Sequence, residues 1–311
     1  MANLTEDGNY TTTSPEFFCI IAYGAGQRIF LSATNLPLSI VAFVGNVLII
    51  VNLRKVSCLH PPSKLLLGCL ACTDLGVGLI SQPLYSAYFM SLEHSKSCYY
   101  SALLFNTIGS IFCAVSLLTI TAISVDRLLA LLLWLRYREV VTERRVRILV
   151  FTFWVLSTLN ATVFLYNLHI AISIASAVLL LCLMISSFCY TKIYRTLRLS
   201  QAQVQDQAYQ GQQNGEGIQL NKARYRKTVS TALWVQMALL ACYLPYSFVG
   251  GFISISGLNT PFLNFAWVLA ISLLLFNSTL NPFLYCWKMR DMRQAMKHMI
   301  RRFFRLPTQE T

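Results

Sequence analysis

The chain has 311 residues, of which 56% are hydrophobic and only 12% charged. A soluble domain carries roughly a quarter charged residues, so this chain has too little charge for a water-facing surface of its size, which excludes a soluble enzyme and a disordered regulator alike. What charge there is runs one way, with 25 Lys and Arg against 12 Asp and Glu; a basic balance suits nucleic acid, an anionic membrane face or an acidic partner, and the placement of the cations has to separate these.

In chain order, residues 1–30 read as an extracellular N-terminal segment. It carries two glycosylation sequons, at Asn3 and Asn9, which are useful only on the luminal side. No basic and apolar leader precedes them, so the first span is expected to act as the signal anchor. Residues 31–287 hold seven apolar stretches, each long enough for the roughly 20 residues that a helix needs to cross a bilayer, the third and sixth long enough to project past the lipid or tilt. They are Leu31–Leu53, Lys64–Met90, Cys98–Leu133, Ile148–Tyr166, Leu168–Tyr190, Thr228–Ile255 and Phe262–Trp287. Pro61-Pro62 reads as a stop after span one, and the Gln- and Gly-rich stretch Ser200–Asn221 reads as unstructured. Residues 288–305 form a basic amphipathic helix at the membrane interface, with Met289, Met292, Met296, Met299 and Phe303 on an apolar stripe. Residues 306–311 are a short cytoplasmic tail without cysteine for palmitoylation.

The cations fix the orientation. Twenty-three of the 25 lie in the first, third and fifth connections, at the inner end of span three, or after span seven; only Arg28 and Lys96 fall on the other face. The excess of Lys and Arg on cytoplasmic loops then places the C-terminus inside and the N-terminus outside, in a multi-pass protein of the cell membrane. Nucleic acid drops out as a partner, because the basic residues are scattered over four juxtamembrane segments.

Polar groups inside spans are costly and each needs a reason. Asp74 is the one acid in the middle of a span. Asn46, Ser116, Asn277, Ser278 and Asn281 fall at a similar depth. Neutral oxygens around a carboxylate suit a hard cation such as sodium; a hydrogen-bonded polar group between helices is the plainer alternative.

At these positions the chain resembles the rhodopsin-like, class A G-protein-coupled receptors. The resemblance rests on Gly45-Asn46-Val47-Leu48, Leu70-Ala71-Cys72-Thr73-Asp74, Ser124-Val125-Asp126-Arg127-Leu128, Trp154, Tyr190, Cys242-Tyr243-Leu244-Pro245 and the run Asn277 to Tyr285. These fall in order across all seven spans. By motif the nearest grouping is that of adenosine, melanocortin and related lipid receptors. The resemblance implies an all-α seven-helix bundle that is no enzyme and passes binding of an extracellular ligand to heterotrimeric G proteins. It implies a sodium pocket of Asp74, Ser116, Asn277 and Asn281. It also implies a coupling and activation set of Asp126, Arg127, Tyr190, Tyr243, Pro245, Pro282 and Tyr285, in which Pro245 supplies the kink for an outward swing of span six. Membrane lipids are the remaining expected partner, and no cofactor besides a sodium ion is expected.

The departures from the family pattern carry information. Tyr243 replaces the usual Trp. The inner end of span six, Arg224-Tyr225-Arg226-Lys227, offers no acid to Arg127, so basal signalling is expected. The ligand site implied by the resemblance is lined by Phe105, Asn106, Gly109, Ser110, Cys113, Tyr243, Tyr246, Ser247, Gly250, Trp267, Ile271 and Leu275, none of them charged. Gly109 stands where amine receptors hold an aspartate, Leu275 where opsins hold the retinal lysine and Gly250 where adenosine receptors hold an asparagine. An apolar pocket with a few hydroxyls suits a neutral small molecule or a lipid. Of ten cysteines only Cys19 and Cys98 face outside, where disulfides persist. The second outer loop, where most relatives place a bridging cysteine, holds none, which leaves either a Cys19–Cys98 bridge or two free thiols.

A channel or transporter would show inverted repeats or a line of intramembrane charges, and an intramembrane hydrolase would show a buried His or paired acids. Neither pattern is present.

Overall fold

A computed structural model describes residues 24–53, 60–91, 95–133, 136–210, 237–256 and 260–288, the side chains of 200–210 and 284–288 excepted. Among the described residues seven helices are long and apolar enough to cross a membrane: Ala25–Leu53, Pro61–Met90, Lys96–Leu133, Glu143–Tyr166, Leu168–Leu199, Met237–Ser256 and Pro261–Phe283. The bundle is helical throughout these residues, as the sequence predicts.

Local chemistry sets the helix starts. Pro61 and Pro62 do not close the first connection but occupy the first positions of span two, after an extended His60 (ψ 139°). A proline there forfeits no bond, because the first N–H groups of a helix have no intrahelical acceptor. Ser95 Oγ accepts from the Cys98 amide at 3.1 Å and opens span three. Asn167 Oδ1 accepts from Ile170 N at 3.0 Å and opens span five one residue after span four ends. Span five also overruns its expected end, since the helix continues to Gln210. Residues 201–210 contain neither Gly nor Pro, and Gln and Ala propagate a helix well; the first glycine is Gly211.

Span three packs against spans two, four and five, and span one against spans two and seven. Hydrocarbon supplies no hydrophobic drive between helices, so close approach and polar contacts have to hold them. A Cβ on Gly45 would stand 2.6 Å from Pro282 Cγ, and one on Gly78 would stand 2.9 Å from Ala42 Cβ; these glycines let spans one, two and seven touch. Hydroxyls inside the spans turn back onto their own helix, as in Thr119 to Val115 O (2.7 Å) and Ser124 to Ile120 O (3.0 Å), which satisfies them without water. The outer faces carry exposed Ile40, Phe151, Met184 and Phe188, an exterior made for lipid. Span four buries one narrow face, Val146, Phe153, Ser157 and Ala161.

Spans two and three each contain one π-helical turn, Val77–Ser81 and Phe105–Gly109, and the two turns lie against each other. Such turns re-aim the side chains beyond them and recur at functional sites. Phe105 is thereby turned onto Tyr85, with ring centroids 4.7 Å apart.

Candidate functional site: cavity, buried carboxylate and inner acid cluster

Three polar or hollow layers succeed one another along the bundle axis. The outermost is a cavity of about 280 Å³ walled by spans three to seven. Phe105, Asn106, Cys113, Tyr243, Tyr246, Trp267 and Ile271 line it as the sequence predicts, together with Ser110 and Leu275. Three predicted positions do not line it. Gly109 is buried, with a Cβ there only 3.1 Å from its own helix's Phe105 and 3.4 Å from Ser81; the π-helical turn has rotated it toward span two. Ser247 is buried and hydrogen-bonds Tyr243 O at 3.4 Å. Gly250 serves the wall from behind, because its missing side chain is the space that Trp267 occupies; a Cβ would overlap the indole ring. Trp267 in turn stacks on Tyr246, with centroids 4.6 Å apart.

Sequence reasoning missed span four altogether. Leu156, Ser157, Asn160 and Phe164 line the wall there, and span five, of which no residue was named either, completes it with Leu168, Ala171, Ile172, Ile174, Ala175, Val178 and Leu179. Span four carries no motif besides Trp154, and its cavity-facing stripe looks like ordinary lipid-facing sequence. Among the described residues no charged side chain lines the cavity.

Below the cavity floor lies Asp74, fully buried. Ser116 Oγ donates to its Oδ1 at 2.9 Å and Asn281 Nδ2 to its Oδ2 at 2.5 Å. Asn46 Nδ2 ties span one to Ser278 O at 3.2 Å. Asn277 does not reach Asp74 directly here: its amide donates to the Tyr243 hydroxyl at 3.1 Å. Tyr243 therefore belongs both to the cavity wall and to the polar layer beneath it. Among the described residues no cation pairs with Asp74. A buried carboxylate with neutral partners alone calls for a proton or a bound cation. The surrounding hydroxyl and amide oxygens of Ser116, Asn277 and Asn281 are hard donors with the right chemistry for a monovalent ion.

The innermost layer centres on Asp126, which is buried and shared three ways. Tyr137 donates to Oδ1 at 2.6 Å, Ser63 donates to Oδ2 at 2.9 Å, and Arg127 pairs with Oδ2 at 3.4 Å. Tyr137 sits on a short inner helix, Tyr137–Val140, and His60 tilts against its ring. Burial, and then the Asp126 carboxylate it faces, hold the Tyr137 phenol above its ordinary pKa, which keeps it a donor. Arg127 remains a third exposed toward the inner face. Sequence patterns flagged Asp126 and Arg127 but gave no sign of Ser63, which lies 63 residues earlier in the chain.

Tyr190 packs in the neighbouring apolar cluster with Val125 and Leu197. Pro245 lies within the helix of span six and Pro282 within that of span seven. Tyr285 continues the last helix; its side chain lies outside the described residues. Asn3, Asn9, Cys19, the inner end of span six and nearly all of the expected interfacial helix 288–305 also lie outside them. Cys98 is disulfide-bonded, whereas Cys69, Cys72, Cys113, Cys182, Cys189 and Cys242 are free thiols.

Seven apolar helices enclosing a hollow, a buried carboxylate and an acid–arginine pair at the inner face define a heptahelical membrane receptor. The family model described as 7 transmembrane receptor (rhodopsin family) matches residues 45–170 and 165–285, and the chain belongs to that family. It is a G-protein-coupled receptor. Among its relatives is trace amine-associated receptor 9 of Homo sapiens, 24% identical over 307 residues that cover 89% of this chain and 86% of the relative. The Mus musculus protein of the same name is 24% identical over 291 residues, covering 84% and 82%.

Proposed function

We propose that this receptor responds to a neutral, largely apolar ligand bound in the cavity between spans three and seven. The observation that carries this reading is the absence of any charged side chain from the cavity wall. The name of the two relatives refers to trace amines, but an ammonium group in this cavity would be desolvated without a counter-ion, a cost of several kcal/mol, and Gly109 holds the place of the amine receptors' aspartate.

The N-terminus and the sequons at Asn3 and Asn9 lie outside the cell, and the Arg127 face meets a heterotrimeric G protein. Asp74, Ser116, Asn277 and Asn281 hold a sodium ion that favours the resting arrangement. When bound, the ion supplies positive charge to the buried carboxylate. The chain's own contribution is that Tyr243, on the cavity floor, bonds Asn277 and lies beside Ser116, which donates to Asp74, so that a ligand pressing on Tyr243 would disturb the residues that would hold the ion. The segments are an extracellular stretch 1–30, the receptor bundle 31–287, an interfacial helix 288–305 and a tail 306–311.

The test is nucleotide exchange on a panel of G proteins with the full chain in nanodiscs, screened against a library of neutral lipids and a library of amines. Activation confined to neutral compounds supports the reading. Activation by amines alone overturns it.

A further inference from the structure

Leu156, Ile174 and Val178 all line the cavity, yet they are 53%, 41% and 39% exposed and continue the exposed stripes that hold Leu159 on span four and Ile170 and Leu181 on span five. A side chain that touches the hollow and the exterior together is a door rather than a wall. Its depth comes from helix geometry. Leu156 lies ten residues below Tyr166 at the outer end of span four, about 15 Å at 1.5 Å per residue, and Ile174 lies six residues below Leu168, about 9 Å. Both fall within the outer half of a hydrocarbon core about 30 Å thick. The connection above them is Asn167 alone, so spans four and five are tied to each other at the top.

Two polar atoms wait just inside. Ser157 is buried (4% exposed) and lines the cavity, and its hydroxyl has no hydrogen-bond partner among the described residues. Asn160, one turn further out, also lines the cavity and leaves its buried Oδ1 without one. Orphaned polar atoms at a lipid-facing cleft are costly, and a guest that bonds them recovers that cost. Asn160 Oδ1 can only accept, so the guest has to bring a donor; Ser157 can give or take. With no charge nearby, the guest is neutral.

We propose that the ligand of this cavity is a neutral, hydroxyl-bearing lipid that enters sideways from the outer leaflet between spans four and five, its hydroxyls held by Ser157 and Asn160 and its chain lying toward span three. This rests on the reading of the cavity as the ligand site.

The experiment uses the full chain in nanodiscs with a monoacylglycerol carrying a diazirine and an alkyne in its acyl chain, and the methyl ester of the same chain as the probe without hydroxyls. Labelling of the span-three residues Cys113, Ala114, Leu117 and Leu118, which line the cavity, is read against labelling at Ile40, which is exposed on span one. The expected result is span-three labelling that favours the monoacylglycerol at least fivefold. Leu156→Trp with Ile174→Trp should lower it about tenfold with Ile40 unchanged, which also shows that the variant is folded. Ser157→Val with Asn160→Leu should abolish the preference for the hydroxylated probe. Span-three labelling that ignores the Trp pair, or no labelling there while Ile40 is labelled, overturns the portal. A neutral activator from the exchange screen that still drives the Trp variant to full exchange at unchanged rate also overturns the portal while leaving the neutral-ligand reading intact.

Discussion

The Asn277 amide donates to the Tyr243 hydroxyl at 3.1 Å, so a single phenol joins the floor of the cavity to the polar layer around Asp74. An indole in that place, usual in the family, has a donor N–H and no acceptor oxygen; the substitution that looks like a loss in the sequence creates this bond. Tyr243→Phe leaves a buried amide unpaired at a cost of about 1–3 kcal/mol. The expected outcome is an apparent Tm lower by several degrees in detergent and a weaker influence of sodium on ligand binding, read by thermal unfolding and by binding in sodium against potassium.

Asp74 is the one acid in the middle of a span, and removing it should remove the ion. Exchange catalysed by the native chain is expected to fall as NaCl replaces KCl at constant ionic strength. Asp74→Asn should give a flat response across the same series. A sodium effect surviving in that variant would place the ion elsewhere.

Asp126 is held by Ser63 and Tyr137 as well as by Arg127. Bonds to an ionised group contribute about 1.5–3 kcal/mol, and losing one loosens the Asp126 carboxylate that holds Arg127. Ser63→Ala and Tyr137→Phe are each expected to raise ligand-free exchange by about threefold to tenfold, a population shift of roughly 1 kcal/mol, while Arg127→Ala abolishes exchange. Native basal exchange should itself be measurable, because the inner segment of span six is basic where an acid partner for Arg127 would stand.

Trp267 fills the space that Gly250 leaves. Gly250→Ala places a methyl within the indole's volume and has to push it into the cavity or out of its stack on Tyr246. Overpacking of this kind costs about 1–3 kcal/mol. Ligand affinity should fall at least tenfold while surface expression, measured by an N-terminal tag, changes little.

Cys98 is disulfide-bonded, and the six free thiols among the described residues all lie within spans. Cys19 is the other cysteine expected outside. Non-reducing peptide mapping should link Cys19 to Cys98, and Cys19→Ser should expose Cys98 to a membrane-impermeant maleimide on intact cells.

Much of the bundle was legible because hydrocarbon is an exacting solvent. Each span has to satisfy its own backbone, so apolar length alone located seven helices, and the cost of isolated polar groups singled out Asp74, while motif resemblance singled out Asp126. Helix ends were less legible. A Pro-Pro pair can close one helix or open the next, and at Pro61-Pro62 the apolar run beginning at Leu65 makes it an opening. The Gln-rich stretch to Gln210 carries helix propensity without an apolar stripe. Motif spacing placed the parts of the cavity wall on spans three, six and seven but misjudged Gly109, because π-helical turns in spans two and three rotate everything beyond them by an amount that no linear register contains.

The sequence by itself determined the class of protein, its span count and the types of side chain at each depth, since these come from one-dimensional patterns of hydropathy, charge and motif. Only the tertiary structure decided which of those side chains share a partner. That Ser63 and Tyr137 meet on Asp126, that Tyr243 bonds Asn277 and that span four closes the cavity with Ser157 and Asn160 are consequences of how seven rods rotate and tilt against one another. Packing at Gly45, Gly78 and Gly250 sets those rotations, and the contacts it creates join residues far apart in the chain.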